Sequence, residues 1–361
     1  MTDHLVIKAC AAKRAVHFQA GSADRIWADV VSRSDDIEAA RILADAIMGD
    51  IRRKKLWAAG WWIATRAAYQ ASLKFRGRYV AESDYLAGAL GDGLLSPADM
   101  AGLQRLYTLA HAGCSAVMGW DEDSGRMVHF RCLDWPSAPA IAQASRLYEA
   151  VGLDGAPVYG GAGILGLVGC LTAAKPGFSA AINFAPWTGP SLSPNRDPTF
   201  LLRELMESPI STYDEARASI GYWRPSAPVF ITLCGIRKGE ASILAFGADW
   251  NRHRGCHVTE LGDRPWLVQT NHYDPSGPFA AHNPRPISRP PASEALWDEY
   301  SLLQTSEVRK ERIEESLSEG GAGLEATLRQ AFAQAPVWNH QTAQWVTMIP
   351  ATGEIRLEVR A

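Results

Sequence analysis

The chain has 361 residues, 47% hydrophobic and 21% charged, a balance that excludes wholesale disorder and leaves room for one large domain or two ordinary ones. Its net charge of −3 gives no general pull toward nucleic acid, which excludes a binder driven by bulk charge. The opening "MTDHLVIKACAAKRAV" shows no secretory pattern, and the longest apolar stretch, around "GAGILGLVGCLTAA", is too short to cross a bilayer, so a cytoplasmic protein is expected.

In chain order, the N-terminal third reads as helical. "SADRIWADVVSRS" starts from a possible cap at Ser22, with Asp24 in the first turn, and residues 35–73 keep apolar positions at i, i+3 and i+4. "LLSPADMAGLQRLYTLAHAG" is a capped helix, with Ser96 as cap, Pro97 as first helical residue and Gly113 as stop. After Gly113 the pattern changes to strands: "CSAVMGW", a turn "DEDSG", then "RMVHFRCLDW". Further strands follow within 157–174, 178–185, 227–236, 240–249, 256–262 and 265–274. A Pro-rich connector spans 274–291, helices are expected near 293–318 and 323–334, and a last hairpin closes around "ATG". The whole predicts an α+β fold with mainly antiparallel pairing.

Several stretches invite chemistry. His111, Cys114, His129 and Cys132 have zinc-like spacing, but on a strand over 126–133 the side chains of His129 and Cys132 face opposite sides, and no Gly or Pro supplies a metal-binding knuckle. Gly161-Ala-Gly163-Ile-Leu-Gly166 satisfies GxGxxG. Strand rather than helix follows it, however, and no Asp or Glu occurs from 155 to 196, so close strand packing explains it better than a dinucleotide. No cofactor and no metal are expected. The six cysteines, at 10, 114, 132, 170, 234 and 256, include no CxxC, and the five other than Cys114 read as small buried thiols. Residues 51–79 carry eight Lys or Arg, no Asp or Glu, and Trp57, Trp61 and Trp62. That is either the solvated basic face of a domain helix or a peripheral membrane contact.

Cys114 is the strongest candidate. It begins a strand just after a helix, Arg131 on the returning strand can favour its thiolate by charge, and Asp134 lies where it can reach back to the nucleophile's backbone. If the Gly113–Cys114 bond is cut, Cys114 carries an α-amine with a reference pKa of roughly 7.7–8.0, a general base at neutral pH that removes the need for a neighbouring histidine.

"CSAVMGWDEDSGRMVHFRCLDW" resembles the nucleophile hairpin of the choloylglycine hydrolase and acid ceramidase branch of the N-terminal nucleophile (Ntn) hydrolases, with its Arg-x-x-Asp at Arg131-Cys132-Leu133-Asp134. "LSPADMAGLQRLYTLAHAGC" resembles the helix leading to the nucleophile in the acid ceramidase and N-acylethanolamine amidase subgroup. "LGLVGCLTAAKPGFSAAINF", "APVFITLCGIRKGEASIL", "WLVQTNHYD" and "APVWNHQTAQWVTM" resemble later segments in the same order.

The resemblance implies an αββα sandwich, autocatalytic cleavage between Gly113 and Cys114, a small chain 1–113 and a catalytic chain 114–361. It implies Cys114 as nucleophile, Arg131 to steady it, Asp134 to hold the new amine, and Asn271 and Asn183 as oxyanion donors. An arginine of the connector, Arg285 or Arg289, completes the set. Trp135 and Phe184 are candidate substrate contacts, Phe184 standing where the ceramidase subgroup has a glutamate. The implied substrate is a small N-acyl amide, a fatty-acyl amide or N-acyl amino compound. Transfer of the acyl group to an amine, as in isopenicillin N acyltransferase-like proteins, and an unprocessed acyl-metabolite binder are the alternatives. The turn "DEDSG" is one residue longer than the family pattern, so Arg131 is expected to regain its face through a wider turn or a bulge.

Overall fold

The computed structural model describes residues 7–9, 13–53, 60, 62–63, 65–66, 78–91, 95–104, 113–186, 196–247, 256–285, 287, 300–320 and 323–361. The N-terminal segment is not purely helical. It opens with β1 (Ile7–Ala9) and β2 (Lys13–Val16), followed by α1 (Ala23–Ile26), α2 (Ala28–Val31), α3 (Ser34–Arg53), α4 (Arg78–Gly91) and α5 (Pro97–Gln104). The hairpin is β3 (Gly113–Asp121) and β4 (Arg126–Asp134), so Gly113 opens a strand. Next come α6 (Ala138–Ala144), β5 (Ser145–Val151), β6 (Pro157–Ile164), β7 (Thr172–Lys175) and β8 (Phe178–Phe184). Then α7 (Pro198–Glu207) and α8 (Tyr213–Gly221) precede β9 (Val229–Cys234), β10 (Ala241–Phe246), β11 (His257–Glu260) and β12 (Trp266–Gln269). Finally α9 (Ser306–Glu319) and α10 (Leu324–Ala331) lead into β13 (Thr342–Ile349) and β14 (Glu354–Arg360).

The strands form two sheets. The first runs β1-β14-β13-β4-β3-β12 and the second β11-β10-β9-β8-β7-β6-β5-β2. Every pairing is antiparallel except β2 with β5. The sheets lie face to face, β3 against β8 and β14 against β5, β6 and β7. Helices α9 and α10 cover the outside of the first sheet at β3, β4 and β12, and α7 and α8 cover the second at β6–β9. This is the αββα sandwich expected from the sequence.

Alternation sorts the side chains between the layers. Met118, Met127, Phe230 and Ile243 fill the gap between the sheets, while Val117, Phe130, Cys132 and Trp345 face Ile313 and Leu328 of the covering helices. The lengthened turn causes no slip. Asp121 pairs Arg126, and the register runs unbroken to Gly113 with Asp134. The four residues Glu122–Gly125 absorb the extra length through Gly125 at φ +61°, whose N–H donates to the Asp121 carbonyl at 2.8 Å. Arg131 thus stands opposite Ala116, on the same face as Cys114.

Candidate active site

Cys114, Arg131, Asp134, Asn183 and Asn271 are all fully buried, and they come from four elements: β3, β4, β8 and the turn after β12. Arg131 reaches diagonally across the hairpin, and its Nη2 lies 3.1 Å from Cys114 Sγ. The guanidinium is aimed by two further bonds, Nη1 to Thr172 Oγ1 at 3.0 Å and Nη2 to the Ile182 carbonyl at 3.0 Å. Both partners belong to the second sheet, so the arginine bridges the sandwich and fixes the sulfur against it.

Asn271 Oδ1 accepts from Cys114 N at 2.9 Å, while its Nδ2 donates to the Phe184 carbonyl at 2.8 Å. Asn183 Nδ2 donates to the carbonyls of Gln269 at 3.0 Å and Thr270 at 3.4 Å. An amide nitrogen carries two N–H groups. Those of Asn183 both meet main-chain carbonyls, and among the described residues Asn271 uses one and keeps one in reserve. Asp134 sits on the helix side, where Oδ1 accepts from Thr342 Oγ1 at 2.8 Å and Oδ2 lies 3.4 Å from an arginine.

That arginine is Arg309, on α9, which the sequence pattern did not single out. It is fully buried. Nη1 donates to the Cys114 carbonyl at 3.1 Å and to Ser115 Oγ at 2.8 Å, and Nη2 donates to Asn271 Oδ1 at 2.7 Å and the Leu302 carbonyl at 2.8 Å. Burial pulls its pKa down, and Asp134 opposes that. Arg285 stands exposed after the turn Ala280–His282, and Arg289 lies outside the described residues. Spacing in the sequence marks the face of α9 but not what it docks on. Arg309, Ile313 and Leu317 form one buried stripe on α9, so the arginine occupies the head of an apolar face.

The first turn of α9 also holds Asn271 from behind. Asn271 N donates to Ser306 Oγ at 2.7 Å, and Ser306 Oγ meets Thr270 Oγ1 at 2.9 Å and His272 Nδ1 at 2.8 Å. Burial lowers the His272 pKa to about 4, so the ring is neutral and serves as a hydrogen-bonding strut. Ser306 and Arg309 therefore grip Asn271 at its backbone and at its side-chain oxygen.

Three buried polar atoms around the site have no hydrogen-bond partner among the described residues: Arg131 Nε, Arg309 Nε and Asn183 Oδ1. Each such atom costs about 1–3 kcal/mol, and their clustering is what a functional site tolerates. Gly113 is pinned, since a Cβ there would stand 2.8 Å from Leu302 Cδ1 and 3.0 Å from Asp134 Cβ.

Beside the cluster lies a narrow apolar cavity of about 60 Å3. Leu43, Ile47 and Leu90 of the N-terminal helices line one side, and Trp135, Ile141 and Leu171 the other. Trp135 follows Asp134, and Leu171 precedes the Thr172 that aims Arg131, so the cavity adjoins residues that support the Cys114 sulfur. The side chain of Phe184 is packed in the same core as Cys114, and its carbonyl is the contact with Asn271.

Of the other cysteines, Cys132, Cys170 and Cys234 are buried as expected, Cys256 is only half-buried, and Cys10 lies outside the described residues. His129 and Cys132 divide as strand alternation dictates. His129 faces the second sheet, with Nδ1 3.0 Å from Ser179 Oγ and Nε2 3.0 Å from Thr232 Oγ1. Cys132 faces α9 and α10, and burial, with Asp134 beside it, pushes its thiol pKa well up. His111 lies outside the described residues. Among the described residues no three His, Cys, Asp or Glu are placed to hold a metal. Of the basic tryptophan stretch, Trp57 and Trp61 lie outside the described residues. Trp62 and Ile63 are exposed, with the Arg66 guanidinium 4.9 Å from the Trp62 ring. No helix among the described residues is long and apolar enough to cross a membrane.

No family model matches the chain, and no curated protein matches it. A solved structure does: a Caenorhabditis elegans N-acylethanolamine-hydrolyzing acid amidase (NAAA) ortholog, at 20% identity and a TM-score of 0.50, over 66% of this chain and 93% of that one. Together with the two facing sheets between helical layers, this shows that the chain has the NAAA-like fold of the Ntn hydrolases.

Proposed function

We propose that the chain is a self-processing cysteine Ntn amidase that hydrolyses the linear amide bond of an N-acyl compound. The observation that carries the reading is the set of three contacts on one residue. Arg131 meets the Cys114 sulfur, Asn271 its nitrogen and Arg309 its carbonyl oxygen, all in a buried site. A structural cysteine needs partners for its buried N–H and C=O but has no use for a guanidinium on its sulfur.

In the proposed maturation, Cys114 Sγ attacks the Gly113 carbonyl, the acyl group moves from nitrogen to sulfur, and water hydrolyses the thioester. This leaves a Gly113 carboxylate and a free Cys114 amine. In turnover the same sulfur attacks the substrate carbonyl with Arg131 balancing its charge, and the α-amine carries the thiol proton to the leaving nitrogen. Water then releases the acid and regenerates the thiol. The reserve N–H of Asn271 suits the oxyanion, a contribution that usually lowers the barrier most. Asn183, with both N–H groups engaged, suits the opposite role, because its unpaired Oδ1 is positioned to accept an N–H. The apolar cavity beside Trp135 favours an acyl chain.

Intact-mass analysis of the wild type and Cys114→Ala tests the reading. The wild type should separate under denaturing conditions into two pieces, the second beginning at Cys114, and should hydrolyse a fatty N-acyl amide. The variant should stay whole and inactive. A wild type that remains one chain and cleaves no N-acyl amide sinks the proposal.

A further inference from the structure

A second cavity, of about 220 Å3, opens where the two sheets part at their β11 and β12 ends. Its floor is apolar, built from Phe230 and Ile243 of the second sheet, Leu267 of the first and Phe279 of the following loop. The rim is charged. Arg264 and Lys310 supply two cations and Asp274 and Glu314 two carboxylates, and His257 and the buried His272 also line the cavity.

These charges are only loosely matched to one another. Lys310 Nζ and Glu314 Oε1 are 3.9 Å apart, at the limit of an ion pair. Arg264 spends its guanidinium on the carbonyls of Leu261 and Glu260 and pairs with no carboxylate among the described residues. Asp274 accepts from the backbone N–H and hydroxyl of Ser276, neither of them a cation. Strand β12 closes its sheet, so its outer edge offers backbone N–H and C=O groups without a strand partner among the described residues.

A cavity with an apolar floor and a rim of both signs selects against simpler ligands. A fatty acid would bring its carboxylate to Asp274 and Glu314, and an alkylamine would bring its charge to Arg264 and Lys310. A molecule carrying both charges at one end and a hydrocarbon body at the other satisfies rim and floor together. We propose that this cavity binds a free α-amino acid with a large apolar side chain. The carboxylate lies toward Lys310, the ammonium toward Asp274 and Glu314, and the side chain on Phe230, Ile243 and Phe279. The occupant then rests against His272 and Lys310, the chain neighbours of Asn271 and Arg309, on the far side of the grip that holds Cys114.

Calorimetric titration of the purified full chain with L-phenylalanine, hydrocinnamate and phenethylamine separates the charge requirements. L-phenylalanine should bind saturably, and the acid and the amine should each bind at least about tenfold more weakly, the weight of one charged contact. Lys310→Ala removes a half-buried rim group and Asp274→Ala an exposed one, and each should weaken L-phenylalanine about tenfold with unchanged circular dichroism. No heat with L-phenylalanine at millimolar concentration overturns the site. Equal binding of hydrocinnamate overturns the ligand class. Undiminished binding by both variants places the ligand elsewhere and overturns the assignment.

Discussion

Arg309 concentrates the residue-scale logic of the site. It is a buried cation with five oxygen acceptors, on Cys114, Ser115, Asn271, Leu302 and Asp134. Only a planar fork can address them at once, because lysine offers a single point of charge. Arg309→Met should strand the Asp134 carboxylate in the core and cost about 3–5 kcal/mol of stability. Arg309→Lys keeps a charge near Asp134 and should recover most of that loss, yet it releases either the Cys114 carbonyl or Asn271. Processing should therefore fail in both variants while stability separates them, read from urea midpoints and intact masses. A lysine variant that matures at the wild-type rate removes Arg309 from the maturation step. Cys114, Arg131 and Asp134 were legible as candidates because one hairpin carries all three: alternation puts Arg131 on the face of Cys114, and Asp134 ends the returning strand opposite Gly113. Arg309 was not, since 38 residues separate it from Asn271 in "SEVRKERIEESL" and its charge reads as a solvated helix face. Only the tertiary docking of α9 turns that face inward.

At the scale of the element, the hairpin is held to the opposite sheet by one buried histidine as well as by Arg131. His129 on β4 spans Ser179 of β8 and Thr232 of β9, and burial, reinforced by the Arg131 charge, lowers its pKa to about 3. The unfolded chain takes up a proton at this position below about 6.5, whereas the folded chain resists until about 3. Between those limits the unfolded state binds the extra proton, so stability falls as pH falls. Going from pH 7 to pH 5, the wild type should lose about 2 kcal/mol more than His129→Gln, which keeps polar contacts without the titration. Denaturant midpoints at the two pH values give the difference, and parallel losses in the two proteins would show that His129 carries no such penalty. Strand alternation alone places His129 and Cys132 on opposite faces. It offers no sign of which partners His129 meets, because Ser179 and Thr232 lie 50 and 103 residues further along the chain. The turn was the reverse case: the extra residue was plain in the sequence, and its resolution by a left-handed Gly125 rather than a bulge required the structure.

At the scale of the molecule, the segment before Cys114 is woven into both sheets. β1 pairs with β14 at one edge of the first sheet, and β2 pairs with β5 at one edge of the second. The helical pattern of the N-terminal third masked these two short strands, since a three- or four-residue strand carries too few positions to show alternation. Two buried charge clusters add to the joint. Arg203 of α7 binds Glu82 of α4 at 2.6 and 3.2 Å, with Trp27 Nε1 donating to the same carboxylate at 2.8 Å, and Asp36 of α3 is shared by Arg14 and Arg146. Cutting the Gly113–Cys114 bond removes none of these contacts. The two pieces should therefore co-elute in native buffer after processing and unfold together in one denaturant transition. Glu82→Ala removes one of the two buried carboxylates on Arg203, leaving Glu207 at 2.8 Å, and deprives Trp27 of its acceptor, at a cost of about 2–3 kcal/mol. In the processed variant that cost falls on the joint between the pieces, so they should separate on dilution at a urea concentration where the wild type stays whole. Size-exclusion chromatography across a urea series reads this directly. If the wild-type pieces part in native buffer, or if Glu82→Ala leaves their separation point unmoved, the N-terminal segment is a detachable leader rather than a permanent part of the sandwich.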